Sequence, residues 1–110
     1  MANVTSRTLT AIVMTVALIS TACSNPEEEK RRHVERGDAY AAENRDEFAA
    51  VEYASAVRID PQFGEARYKL AQTYERLNNF REAYAEYIRA ADALPDDREA
   101  LLKATEVLLL

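Results

Sequence analysis

The sequence predicts an all-helical protein built from a tandem repeat, and three observations carry that prediction. A period of 34 residues runs through the chain without gaps: Tyr40 recurs as Tyr74, Ala49 as Ala83, Tyr53 as Tyr87, Ala56 as Ala90 and Pro61 as Pro95. With 2 Gly and 3 Pro in 110 residues, the chain lacks the turn residues of an all-β protein, whereas its abundant Ala, Leu, Glu and Arg favour helix. Pro61 and Pro95 each stand where a helix has to stop, one period apart. Helices are expected near 26–43, 46–59, 64–77, 80–93 and 97–110. Asn25, Asn44, Asn79 and Asp96, each followed three residues later by Glu, are read as capping pairs at four of the helix starts.

The first element is a targeting segment. Arg7 is the only charge in residues 1–22, and Thr8 to Ile19 form an apolar run too short for a membrane span, which needs about 20 residues. Ser20-Thr21-Ala22-Cys23 follows directly. This resembles the lipobox of bacterial lipoproteins, in which small residues precede a Cys that is acylated and becomes the new N-terminus. The family usually has Leu three residues before the Cys, where Ser20 stands here. The resemblance implies a lipid on Cys23, a membrane anchor through it and a periplasmic location, and Ser24 after the Cys implies sorting to the outer membrane. An ordinary secretory signal cut near Ser24, or an uncleaved anchor with Cys23 incidental, is the alternative.

Residues 23–29 form a short tether and helix start. Asn25 can cap, Pro26 suits the first helical position, and Glu27–Arg31 and Glu28–Arg32 have the spacing of helical ion pairs. Repeat one is assigned to 30–63, repeat two to 64–97, and the first helix of an incomplete third repeat to 98–110. Gly37, Tyr40, Ala49, Tyr53, Ala56 and Pro61 in repeat one, and Ala71, Tyr74, Phe80, Ala83, Tyr87, Ala90 and Pro95 in repeat two, carry a resemblance to the tetratricopeptide family. Small residues let antiparallel helices approach and aromatics fill the gaps beside them. Repeat one departs from the pattern at Asp46, and Phe48 is expected to fill the space of the missing aromatic. The resemblance implies an α-solenoid of antiparallel helix pairs following the N-terminal signal helix. Arg58 to Leu70 further resembles the repeat junction of lipoproteins of PEP-CTERM and exopolysaccharide systems, which implies a role in envelope assembly.

The last helix ends Val107-Leu108-Leu109-Leu110 without a partner helix. Three explanations stand open: the chain leads a longer array, Leu108, Leu109 and Leu110 mediate self-association, or the lone helix covers repeat two. A chain with two complete repeats is also short for a stable array, which normally takes about three.

Composition excludes several function classes. A net charge of −5 opposes nucleic-acid binding, which needs clustered cations facing phosphates. One Cys forms no internal disulfide, and one Cys with one His falls short of a four-ligand zinc site. No cofactor or metal is expected. His33, the only His, is read as a helix-packing or surface residue, and no catalytic constellation stands out, so binding rather than enzymatic activity is expected.

The resemblance places function in the concave groove built by the first helix of each repeat. By position its lining is Arg31, Val34, Asp38 and Ala41, then Tyr68, Gln72, Glu75 and Arg76, then Leu102 and Glu106. Val34 and Asp38 occupy the places where some relatives carry a Lys and Asn clamp for a partner's C-terminal carboxylate, so that clamp is lacking. Asp38, Glu75 and Glu106 give the lining an acidic character that suits a basic or mixed apolar segment of a partner protein.

Overall fold

The structure is a computed structural model and describes residues 24–110. The signal segment 1–22 and the lipidation site Cys23 lie outside the described residues. Five α-helices follow one another: α1 (Pro26–Ala42), α2 (Asp46–Ile59), α3 (Gly64–Arg76), α4 (Phe80–Ala93) and α5 (Arg98–Leu108). Each packs mainly against its neighbours in sequence, α1 on α2, α2 on α3, α3 on α4 and α4 on α5. This single-file stacking is the α-solenoid that the resemblance implied.

Two buried clusters hold the stack. Val34, Ala49, Tyr53, Ala56, Ala66 and Leu70 join α1, α2 and α3. Ala71, Ala83, Tyr87, Ala104 and Val107 join α3, α4 and α5. Helix α3 serves both, which couples one repeat to the next. Close approach rests on small side chains: a Cβ on Gly37 would lie 2.5 Å from the Tyr53 ring. In repeat two the corresponding pair is Ala71 and Tyr87, both fully buried. The two rings carry matching hydrogen bonds, Tyr53 Oη donating to Asp38 Oδ1 at 2.6 Å and Tyr87 Oη to Glu75 Oε2 at 2.9 Å. A buried phenol thus finds an acceptor in each repeat.

The helix ends correct part of the capping scheme. Asn25 and Asp97 are true N-caps with extended backbone, their side chains accepting from the N–H of Glu27 and Glu99. Asp97, not Asp96, therefore starts α5, and Glu27 N–H rather than a Glu28 side chain answers Asn25. Glu27 pairs with Lys30 at 2.8 Å rather than with Arg31, while Glu28–Arg32 forms at 3.6 Å.

Asn44 and Asn79 cap nothing with their side chains. Asn44 instead takes a left-handed backbone, φ 57°, and so does Asn78, φ 60°. Arg45 N–H donates to Tyr40 O and Asn44 N–H to Ala41 O, and Asn79 N–H to Tyr74 O and Asn78 N–H to Glu75 O. These bonds terminate α1 and α3 in Schellman motifs, with Asn in the place usually held by Gly. Asn44, held left-handed to end α1, lacks the extended backbone that a capping side chain needs, whereas Asn79 does stand at the N-cap of α4, with φ −88° and ψ 66°, but makes no side-chain bond there.

Asp46 and Phe48 divide the role expected of Phe48 alone. The Phe48 ring lies 5.5 Å from Tyr40 with the Arg45 guanidinium over both, yet Phe48 stays 51% exposed. Asp46 accepts from Arg76 Nε at 2.9 Å, tying repeat one to repeat two. His33 packs between α1 and α2, its Nδ1 2.7 Å from Glu52 Oε2, in keeping with the packing role.

The ion pairs set the acid limit of stability. Burial pushes the Asp38 carboxyl up, but the Lys69 ammonium and the Tyr53 hydroxyl outweigh it and hold it below the usual range. Glu52 behaves likewise, with burial opposed by His33 and Arg36. Asp60 is held low by Lys30 and by the Gln62 N–H. A carboxyl depressed in the folded state stabilises at pH above its unfolded value and loses that contribution as pH falls through its folded value. Thermal midpoints are therefore expected to drop as pH falls below about 4. A midpoint that rises between pH 4 and pH 2 contradicts these assignments.

Candidate functional site

Three clefts run in series along α1, α3 and α5. The first, about 180 Å³, is lined by Arg31, Val34, Glu35, Asp38, Phe63 and Glu65. The second, about 410 Å³, is lined by Glu65, Tyr68, Lys69, Gln72, Leu94, Asp97 and Glu99. The third, about 350 Å³, is lined by Gln72, Glu75, Arg76, Tyr87 and Lys103. Glu65 borders the first two and Gln72 the last two, so the clefts form one continuous strip. Leu94 and Asp97 also wall a cavity of about 440 Å³ at the α4–α5 connection.

Of the ten residues placed in the groove by position, Arg31, Val34, Asp38, Tyr68, Gln72, Glu75 and Arg76 line these clefts. Ala41, Leu102 and Glu106 line none of the three. Ala41 packs onto the first buried cluster, Leu102 faces solvent at 69% exposure, and Glu106 holds Lys103 Nζ at 2.9 Å on the same helix. Helix α5 presents Glu99 and Lys103 to the clefts, with Glu106 on the same face one turn beyond Lys103 and paired to it.

The three acidic residues singled out from sequence are all engaged within the chain. Lys69 Nζ donates to Asp38 at 2.7 and 2.9 Å, Tyr87 Oη donates to Glu75, and Lys103 holds Glu106. Sequence reasoning missed Glu35, Glu65, Lys69, Asp97, Glu99 and Lys103. Glu35 and Arg31 form no ion pair among the described residues. Tyr68 Oη donates to Glu99 Oε1 at 2.7 Å, and burial together with this carboxylate raises the Tyr68 pKa. The phenol remains protonated at neutral pH and fixes the Glu99 carboxylate at the cleft wall.

Beyond the groove, the outer end of the stack is apolar. Phe80, Arg81, Tyr84, Val107, Leu108 and Leu110 line a concavity of about 320 Å³ between α4 and α5. Leu108, Leu109 and Leu110 are 65%, 83% and 74% exposed. No helix among the described residues is long and apolar enough to cross a membrane.

Residues 37–78, from the middle of α1 through the end of α3, match the family described as TPR repeat. The fold is a tetratricopeptide-repeat α-solenoid. No curated protein matches the chain. Tetratricopeptide arrays bind protein partners, and the matched stretch contributes Asp38 of α1 to the first cleft and α3 residues to all three. The repeat matched at residues 37–78 supports a scaffold for protein–protein interaction.

Proposed function

We propose that this chain is a lipid-anchored adapter of the bacterial envelope, held on the periplasmic side of the outer membrane through Cys23, which binds a partner protein and catalyses no reaction of its own. The partner segment lies in the groove and is basic or mixed apolar, and the assembly served is that of the envelope or an exopolysaccharide. The continuous strip of clefts along α1, α3 and α5 is the observation that carries the binding reading. The lipobox-like Ser20-Thr21-Ala22-Cys23 supports the anchor.

One experiment addresses both parts in cells. A photo-crosslinking amino acid replaces either Gln72, at the middle of the groove, or Arg89, on the exposed side of α4, and labelled palmitate is supplied. Adducts are expected from position 72 and not from 89, and label is expected in the native chain but not in Cys23→Ser. Equal adducts from both positions defeat the groove reading. A native chain that takes up no label defeats the anchor.

A second reading is favoured by the exposed apolar end formed by Phe80, Tyr84 and Leu108. In it a further helix covers this end, supplied either by another copy through Leu108, Leu109 and Leu110 or by later repeats of a longer protein that carries an enzyme or export component.

A further inference from the structure

We propose that a second copy of this chain docks on the outer face of α5, its own α5 lying antiparallel on this one; this rests on the second reading of the exposed end, that a further helix covers it, and names the occupant. In both complete repeats the first helix turns the same three positions to the second helix. His33, Gly37 and Tyr40 of α1 face α2, where His33 Nδ1 lies 2.7 Å from Glu52 Oε2, Tyr53 closes on Gly37 and Tyr40 lies against Phe48. Arg67, Ala71 and Tyr74 of α3 face α4, where Arg67 donates to Glu86 Oε2 at 2.6 Å and Ala71 and Tyr74 pack with Tyr87 and Phe80.

One period further along, the three positions are Leu101, Thr105 and Leu108, and all are exposed, Leu101 at 54% and Leu108 at 65%. Two polar ties are lost there. Leu101 stands in the register of His33 and Arg67, so it offers no cation to the Glu that the second helix of each repeat carries, Glu52 and Glu86. Phe80 and Leu110 stand in the register of Asp46 and Arg76, whose ion pair at 2.9 Å closes the corresponding end of repeat one. The Thr105 hydroxyl makes no polar demand on a partner, since it donates to Leu101 O at 3.1 Å on its own helix. The stripe therefore carries no charge, and Leu108 joins it to the concavity of Phe80 and Tyr84. Such a face matches a second copy of itself better than a helix whose Glu it would leave unpaired, and apolar surface of this extent marks an interaction site.

Charge sets the direction of packing. Arg98 lies three residues before Leu101 on the same stripe, and the last turn of α5 contains no basic residue. Antiparallel packing about Thr105 brings Leu101 of each copy onto Leu108 of the other, and Arg98 of each to the C-terminal end of the other's α5, where the helix dipole favours a cation. Parallel packing would set the two Arg98 side by side. Thr105 at the crossing is small enough for close approach, as Gly37 and Ala71 are within the repeats.

Sedimentation of the full chain, with detergent micelles in large excess over protein, reads the association. A concentration-dependent step from one copy to two is expected. Leu101→Lys alone and Leu108→Glu alone are each expected to weaken it about a hundredfold, and the double variant carrying both is expected to recover it, because each Lys then meets a Glu of the other copy. Both positions are exposed, so the variants keep their fold, as circular dichroism melting verifies. One copy at every concentration, or single variants that associate like the native chain, overturns the docking on α5, and loss without recovery in the double variant overturns the antiparallel pairing. A photo-crosslinking residue in place of Leu102, used in cells, separates this proposal from the reading it rests on. Adducts joining two copies are expected. An adduct to a later stretch of the same chain overturns the second copy and keeps the covering helix, whereas adducts to other proteins alone, or none, overturn both.

Discussion

Tyr87→Ala is expected to remove about 4 kcal/mol of stability, a large share of the total for a domain of this size. Tyr87 is the largest fully buried side chain, at 0% exposure, and its ring meets Tyr68 edge-on at 5.4 Å between centroids. It is packed with Ala71 of α3, Ala83 of its own helix, and Ala104 and Val107 of α5, so one ring joins three helices. Its neighbours are mostly alanines, which have no rotamers with which to refill the space. Tyr87→Phe keeps the ring and loses only the hydrogen bond to Glu75, an expected cost of about 1 kcal/mol. Urea titrations followed by circular dichroism separate the two. A Tyr87→Ala protein that unfolds at the native midpoint shows that this cluster does not hold the array together.

Overpacking at the same interface is the second large effect. Ala83→Leu is expected to cost about 3 kcal/mol, because Ala83 is at 0% exposure and sits in one cluster with Ala71, also at 0%. The added methylenes have no void to enter, and relief requires α3 and α4 to separate, which also withdraws Tyr87 from α5. Ala39→Leu, on the exposed side of α1, is the control and is expected to change the thermal midpoint very little. If both substitutions shift the midpoint equally, the small residues of the register are not there for close packing.

How far the sequence could be read depended on which interactions follow the period. Gly37, Tyr53, Ala83 and Tyr87 are repeated packing positions, and their recurrence placed each helix within two residues of where it lies. The misread helix ends had a readable signal. Asn44 and Asn79 are 35 residues apart and break the 34-residue register, whereas Asn44 and Asn78 keep it and are the two left-handed residues. A residue type that recurs in register has a recurring backbone role, and there that role was to finish a helix.

The ion pairs between helices distant in sequence escaped for a different reason. Lys30–Asp60 and Asp46–Arg76 are separated by 30 residues, and Asp38–Lys69 by 31, as is the hydrogen bond of Tyr68 with Glu99. Helices stacked side by side meet a little short of a full period, so opposite charges 30 or 31 apart are the pattern to seek in such arrays. That pattern would have shown Asp38 to be neutralised by Lys69. It would also have brought Glu99 and Lys69 into the groove. At the mismatched positions, Ala41 packs instead onto the first buried cluster, and α5 buries Ala100, Ala104 and Val107 in the register of Ala66, Leu70 and Thr73 of α3, leaving Leu102 exposed and Glu106 on Lys103.

Single-file stacking has a mechanical consequence. Because each helix leans mainly on the one before and the one after, no strut among the described residues joins α1 to α5. The structure is a short spring: a slight turn at each junction changes the curvature of the whole while every side chain keeps its neighbours. A bound segment that tightens the clefts by a fraction of an ångström does so elastically, coil by coil, without breaking either core.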